Sequence, residues 1–232
     1  MTLIVRKKMI ALFALFLTVI FGFGFLVSNA VHVDSSSPLS ITIVIDAGHG
    51  GMDGGSVGKN GTIESNLNLK FAQKLTKYLT DFGISVVNTR SDNNGLYEEL
   101  TDDFKLVDMK KRAEIINNSG AQILISIHMN EFSSSSENGA QVFFEQDDTD
   151  SEKLANSIRD MLVANFENAR KLTLAGDYYI LNNTSPIGVI VECGFLSNPQ
   201  EEANLNNEEY QNKMCYSIYC GIINYLGVAN NY

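Results

Sequence analysis

Residues 41–55, ITIVIDAGHGGMDGG, decide how this 232-residue chain folds. Ile41, Ile43, Val44 and Ile45 form a β-branched run that stops at Asp46 and gives way to a glycine-rich turn carrying His49. A short apolar run ended by turn residues reads as a strand buried on both faces, as in a parallel sheet. Ligands of open α/β sheets gather beyond the carboxyl ends of the strands, which is where His49 falls. The glycines let the backbone turn tightly and leave room beside the histidine. Two nucleotide-binding patterns fail here. GxGxxG begun at Gly48 needs glycine at Asp53, and a phosphate loop ending at Gly58-Lys59 needs glycine at Asp53 and Ser or Thr at Asn60. A polar site around His49 is left.

Downstream of this stretch, helices and strands alternate. Thr62 is placed to cap a helix reaching about Phe82, with Leu67, Phe71, Leu75 and Tyr78 at helical spacing and Gly83 ending it. Residues 84–89 read as a second strand, 91–106 as a polar surface excursion, and about 107–118 as a helix carrying Lys110, Lys111 and Arg112. Residues 121–127, AQILISI, form a third buried strand ending at His128; a serine-rich loop and a strand over 140–145 follow. An amphipathic helix then places Leu154, Ile158, Met161, Leu162 and Phe166 on one face. Residues 178–181 and 187–191 read as two more strands, the second ending at Glu192; Asn198-Pro199 restarts helix, and 208–226 is a closing helix. Alternation of this kind implies an α/β fold with right-handed crossovers. The expectation is one domain: a twisted, mostly parallel sheet of about six strands flanked by helices, preceded by an N-terminal signal or membrane anchor.

The N-terminal segment differs in composition from the rest. Arg6-Lys7-Lys8 precede an apolar or neutral run from Met9 to Val27, and Ser28-Asn29-Ala30 offers small residues at the spacing a signal peptidase uses. At 19 residues the run suits a cleaved signal or a retained anchor. The expected organisation is therefore signal peptide or anchor over 1–30, linker over 31–40 and catalytic domain over 41–232. Either form places the domain outside the cytoplasm. The whole chain has a net charge of −10; beyond residue 30 it carries 14 basic and 27 acidic side chains. An acidic body argues against nucleic acid, which needs a basic surface. Cys193, Cys215 and Cys220 are odd in number and contain no CxxC pair, so they read as free thiols rather than a disulfide framework.

Three polar residues fall at strand carboxyl ends, His49, His128 and Glu192, and Glu64 opens a helix just after the glycine turn. Two histidines and a carboxylate with an open fourth position are what a hydrolytic zinc uses, and a further carboxylate is needed to move the proton of the attacking water. Each residue also has a plainer reading. His49 can bond within its turn, Glu64 can oppose a helix dipole, His128 can be a satisfied strand-end residue, and Glu192 can pair with Arg90 or Arg112. There is no HExxH helix, so ligands would come from distant segments.

IDAGHGGMDGG, Glu64 in IESNLNL, RAEIIN at residues 112–117, SIHMN around His128 and VECGFLSNPQE around Glu192 together resemble the zinc-dependent N-acetylmuramoyl-L-alanine amidases of the amidase type 3 family. The resemblance covers about residues 41–226, in the family's order. Met129 stands where many members have alanine. The resemblance implies that His49, Glu64 and His128 bind Zn²⁺ and that Glu192 is the catalytic base and acid. The bond cut would be the amide between N-acetylmuramic acid and L-alanine of the stem peptide. The compact form is similar to the amidases of spore-cortex maturation, which make muramic-δ-lactam with a deacetylase. That likeness implies a place at the developing spore, and with no wall-targeting module localisation or activation would come from the anchor or from a separate accessory or activating protein. The alternatives are a zinc peptidase or deacetylase acting on the same polymer, and a catalytically silent wall-binding or regulatory module on an amidase-like fold.

Overall fold

The computed structural model describes residues 41–227; the expected signal or anchor and its linker lie outside the described residues. Six strands form one sheet: β1 (Thr42–Ala47), β2 (Ser85–Asn88), β3 (Ile123–Asn130), β4 (Gln141–Glu145), β5 (Leu174–Gly176) and β6 (Ile187–Phe195). Their order is β2-β1-β3-β6-β4-β5. All neighbours are parallel except β4, which runs antiparallel to β6. The helices are α1 (Glu64–Asp81), α2 (Phe104–Asn118), α3 (Thr149–Asn165), α4 (Tyr179–Asn182), α5 (Pro199–Leu205) and α6 (Glu208–Tyr225). Among the described residues, no helix is long and apolar enough to cross a membrane.

The two-residue period of the strands decides which side chains serve the core and which the site. Ile43, Ile45 and Ala47 of β1, Ile123, Ile125, Ile127 and Met129 of β3, and Val189, Val191 and Cys193 of β6 share one large core with Leu67, Phe71 and Leu75 of α1 and with α3 and α6. The intervening residues face the other way. Val44, Leu124 and Ile190 meet Ala113 and Ile116 of α2 and Ile180 and Leu181 of α4 in a smaller cluster. On that same face, the next alternate residues are Asp46, then Ser126 and His128, then Glu192. All three central strands thus turn apolar side chains to the smaller helical layer until their carboxyl ends, where polar ones replace them.

Four expectations need correction. Residues 178–181 are not a strand: Tyr179–Asn182 is a single helical turn, and the edge strand is Leu174–Gly176, paired parallel to β4. A four-residue apolar run has no periodicity that separates strand from helix. Helix α1 is capped at Ile63 with no side-chain bond, because the Thr62 hydroxyl oxygen instead accepts from Asn206 Nδ2 at 2.8 Å. Strand β3 continues past His128 to Asn130, so His128 lies within a strand near its end. Helix α2 begins at Phe104, inside the segment read as a surface excursion. Cys193 and Cys215 are buried and Cys220 is half-buried, all as free thiols.

Candidate metal centre and active site

His49 leaves β1 in a left-handed conformation, φ 61°, unusual for a non-glycine residue. Two arginines hold it there. Arg112 donates to the carbonyl oxygens of Ala47 (2.6 Å) and His49, and Arg90 donates to those of Ala47 (2.8 Å), Gly48 (3.0 Å) and Ser65 (2.8 Å). Both guanidinium-bearing residues are buried. Arg112 is balanced by Asp46, 2.7 Å away, and by Asp108 one helical turn back on α2. Burial raises the pKa of Asp46, but Arg112, Thr89 and Ser126 outweigh it and lower it to about 2. Burial, and then the neighbouring Arg112 charge, lower Arg90 to about 10, which leaves it cationic at neutral pH. Neither arginine pairs with Glu192, so that plainer reading of Glu192 falls.

The turn brings three donor atoms together. Oε1 of Glu64 lies 3.0 Å from His128 Nδ1 and 3.3 Å from His49 Nε2. One ligand atom from each of the three residues lies within 4.8 Å of the others. The two rings meet edge to face, with centroids 5.0 Å apart. Supporting contacts fix each group from behind. His49 Nδ1 donates to Asp53 Oδ2 at 2.7 Å, leaving Nε2 facing Glu64. Glu64 Oε2 accepts from the Ser56 amide (2.8 Å), and Oε1 accepts from the Met129 amide and from Asn68 Nδ2 (3.2 Å each). Gly48 matters because a Cβ there would stand 2.1 Å from His128 Cε1; only glycine leaves space for that ring.

Charges in this cluster are strongly perturbed. Burial lowers the His49 pKa, but the hydrogen bonds to Asp53 and Glu64 dominate and raise it to about 9. Burial would raise Glu64, yet the hydrogen bonds to His128 and His49 drive it far below the usual carboxylate range. A carboxylate held ionised between two imidazoles is a donor set for a cation. Nitrogen, oxygen and nitrogen on converging segments, with a carboxylate behind one histidine, fit zinc and its usual outer partners.

Glu192 sits beside His128 in the β3–β6 ladder and lines the same cavity, of about 320 Å³, as His49 and His128. Its Oε2 is buried and has no hydrogen-bond partner. Burial raises its pKa to about 7, with His128 pulling down and Glu64 pushing up. An orphaned carboxylate oxygen beside a cation site, able to hold or release a proton near neutrality, suits general acid–base work. The structure therefore brings all four sequence-derived residues to one place. Sequence reading missed Asp53, Asn68 and the role of the two arginines. Asp53 alone had a visible signal, a carboxylate four residues beyond His49 across a glycine pair.

The fold and this cluster define an α/β domain with a two-histidine, one-carboxylate donor set open to a cleft. The chain belongs to the N-acetylmuramoyl-L-alanine amidase family, which it matches over residues 43–224. It is 37% identical over 219 residues to the germination-specific N-acetylmuramoyl-L-alanine amidase of Bacillus subtilis (strain 168), covering 90% of this chain and 91% of that one. In structure it resembles the CwlD amidase of Clostridioides difficile, solved in complex with the GerS lipoprotein, with a TM-score of 0.77 and 37% identity over 81% of this chain and 99% of that one. The catalytic domain of CwlV, an N-acetylmuramoyl-L-alanine amidase of Bacillus (Paenibacillus) polymyxa var. colistinus, gives a TM-score of 0.72 and 32% identity over 81% and 99% of the two chains.

Proposed function

We propose that this chain is a zinc-dependent peptidoglycan hydrolase that cleaves the amide joining the lactyl group of N-acetylmuramic acid to L-alanine of the stem peptide. The observation that carries the zinc and the residue roles is the convergence of His49, Glu64 and His128 around one point, with the unpartnered oxygen of Glu192 beside it. His49, Glu64 and His128 would hold the ion. Zinc bound there supplies a Lewis acid and a water of lowered pKa, near about 7. Glu192 takes the proton from the attacking water as the new C–O bond forms at the lactyl carbonyl. It returns that proton to the alanine nitrogen as the C–N bond breaks, so it ends the cycle as it began. Burial, which favours the protonated form of Glu192, helps it to hold that proton between the two steps. Asp53 fixes which nitrogen of His49 faces the ion.

A role in spore cortex maturation and germination is supported by the likeness to the B. subtilis germination-specific enzyme and to CwlD. The GerS complex of CwlD supports an accessory lipoprotein partner for this chain as well. The substrate lies outside the cytoplasm. That fits the reading of residues 1–30 as signal or anchor, 31–40 as linker and 41–232 as catalytic domain. Purified protein, assayed for zinc and incubated with peptidoglycan, is expected to release peptides beginning at L-alanine. Chelation and Glu192→Ala should both abolish release, the latter with zinc still bound. Product masses of a peptidase or deacetylase, or full turnover by Glu192→Ala, would overturn the assignment.

A further inference from the structure

The cavity that holds the catalytic groups continues past them toward α2 and α4, where Lys105, Met109, Tyr179 and Ile180 line it. Lys105 comes from the first turn of α2, the end of the polar segment whose purpose the sequence left open. That segment lies along the His49 loop, with the Gly51 amide donating to the Asn93 carbonyl oxygen at 2.7 Å. The Lys105 ammonium is 2.9 Å from Asp53 Oδ1, yet its side chain is 65% exposed. An ammonium has three donors, and Asp53 is its one partner among the described residues, so the others face the cavity and solvent.

The remaining charges of the cavity are already committed. Arg112, its guanidinium-bearing residue, is 1% exposed and donates to Asp46, Asp108 and two loop carbonyls. Asp46 and Asp108 are thereby neutralised, while Asp53 and Glu192 remain acidic neighbours of any ligand. In a chain of net charge −10, Lys105 is the exposed cation lining this cavity outside the metal centre, and so the place on its α2 side where an incoming carboxylate can pair.

We infer that Lys105 is a specificity residue that pairs with a carboxylate of the substrate's peptide, so that the stem peptide lies on the α2 side of the cavity and the glycan on the opposite side. The inference rests on the amidase reading above, and it assigns direction and ligand chemistry within that site. Of the two halves of the substrate, the acetylated glycan offers hydroxyls and amides, whereas the peptide carries free carboxylates. An exposed ammonium beside an apolar strip formed by Met109 and Ile180 suits the second. The plainer role, in which Lys105 only offsets Asp53, predicts no sensitivity to the charge of the peptide.

The test uses the zinc-loaded full chain and two N-acetylmuramoyl peptides, identical except that the peptide carboxylates are free in one and converted to carboxamides in the other. Wild type should prefer the acid by on the order of fivefold in kcat/KM, the size of a single partly exposed ion pair, with the difference in KM. K105M should lose that preference, K105E should reverse it and K105R should keep it. Equal losses on both substrates in K105M, with lowered zinc content, would assign Lys105 to the support of Asp53 and overturn the inference. Cleavage of both substrates by wild type without preference would overturn it alone. Cleavage of neither, with no peptide released from intact peptidoglycan by the same protein, would overturn the amidase reading and this inference with it.

Discussion

Gly48→Ala is the sharpest single test of the metal centre. Gly48 does not occupy the left-handed region, so alanine meets no backbone penalty there. Its Cβ, however, would lie 2.1 Å from Cε1, 2.2 Å from Nε2 and 2.7 Å from Nδ1 of His128, where ordinary contact begins at 3.4 Å. The backbone cannot retreat. The Gly48 amide donates to the Ile127 carbonyl oxygen at 3.1 Å, and its own carbonyl accepts from Asn68 and Arg90 at 3.0 Å each. The ring must therefore swing away by about 1.3 Å, the gap between 2.1 and 3.4 Å. Metal ligands tolerate displacements of only about 0.2 Å, so one of three protein ligands is lost. Zinc affinity should fall by more than about 100-fold, beyond the range seen when only an outer partner of a ligand is removed. Overpacking should cost about 1–3 kcal/mol, leaving the domain folded. Chelator competition measures the affinity, circular dichroism the fold and peptide release the turnover. A folded Gly48→Ala protein that binds zinc as tightly as wild type would refute the assignment of His128 as a ligand.

Two further outcomes follow from the same geometry. Asp53→Asn keeps the shape but weakens the hold on the His49 Nδ1 proton, and should reduce zinc affinity by about 10- to 100-fold in the same competition assay. Asp46 has a folded pKa of about 2 against the ordinary 3.8, so its contribution is complete above pH 4 and disappears as pH falls toward 2. Urea titrations across that window should show a loss of roughly 2 kcal/mol from this group, with the dependence flattened in Asp46→Asn.

The readable parts of the fold were those written as apolar runs. Strands β1, β3 and β6 have continuous β-branched cores, and His49, His128 and Glu192 end or closely follow those runs, so their meeting at one edge of the sheet was legible in the sequence. Strand β5 could not. Leu174-Ala175-Gly176 is a mostly exposed edge with neither alternation nor a buried face, and the neighbouring Tyr-Tyr-Ile-Leu run drew the assignment instead. The supporting residues were hidden for a different reason. Arg90, Arg112 and Asn68 act largely on backbone carbonyls, and a carbonyl leaves no mark in the sequence. Lys105 was hidden because its partner, Asp53, lies across a loop from it, on an element whose start was itself misjudged.

The arginine-held turn has a consequence for how this domain can diverge. Apart from the pairs Arg112 makes with Asp46 and Asp108, the bonds from Arg90 and Arg112 end on main-chain oxygens, and none touches a donor atom of the His49–Glu64–His128 group. Most of the scaffold is thus wired apart from the chemistry, with Asn68 the link that bonds both the Gly48 carbonyl oxygen and Glu64 Oε1. A lineage could exchange one metal for another, or lose His128 as a ligand, without the turn collapsing, because the arginines that hold its main-chain oxygens take no part in coordination.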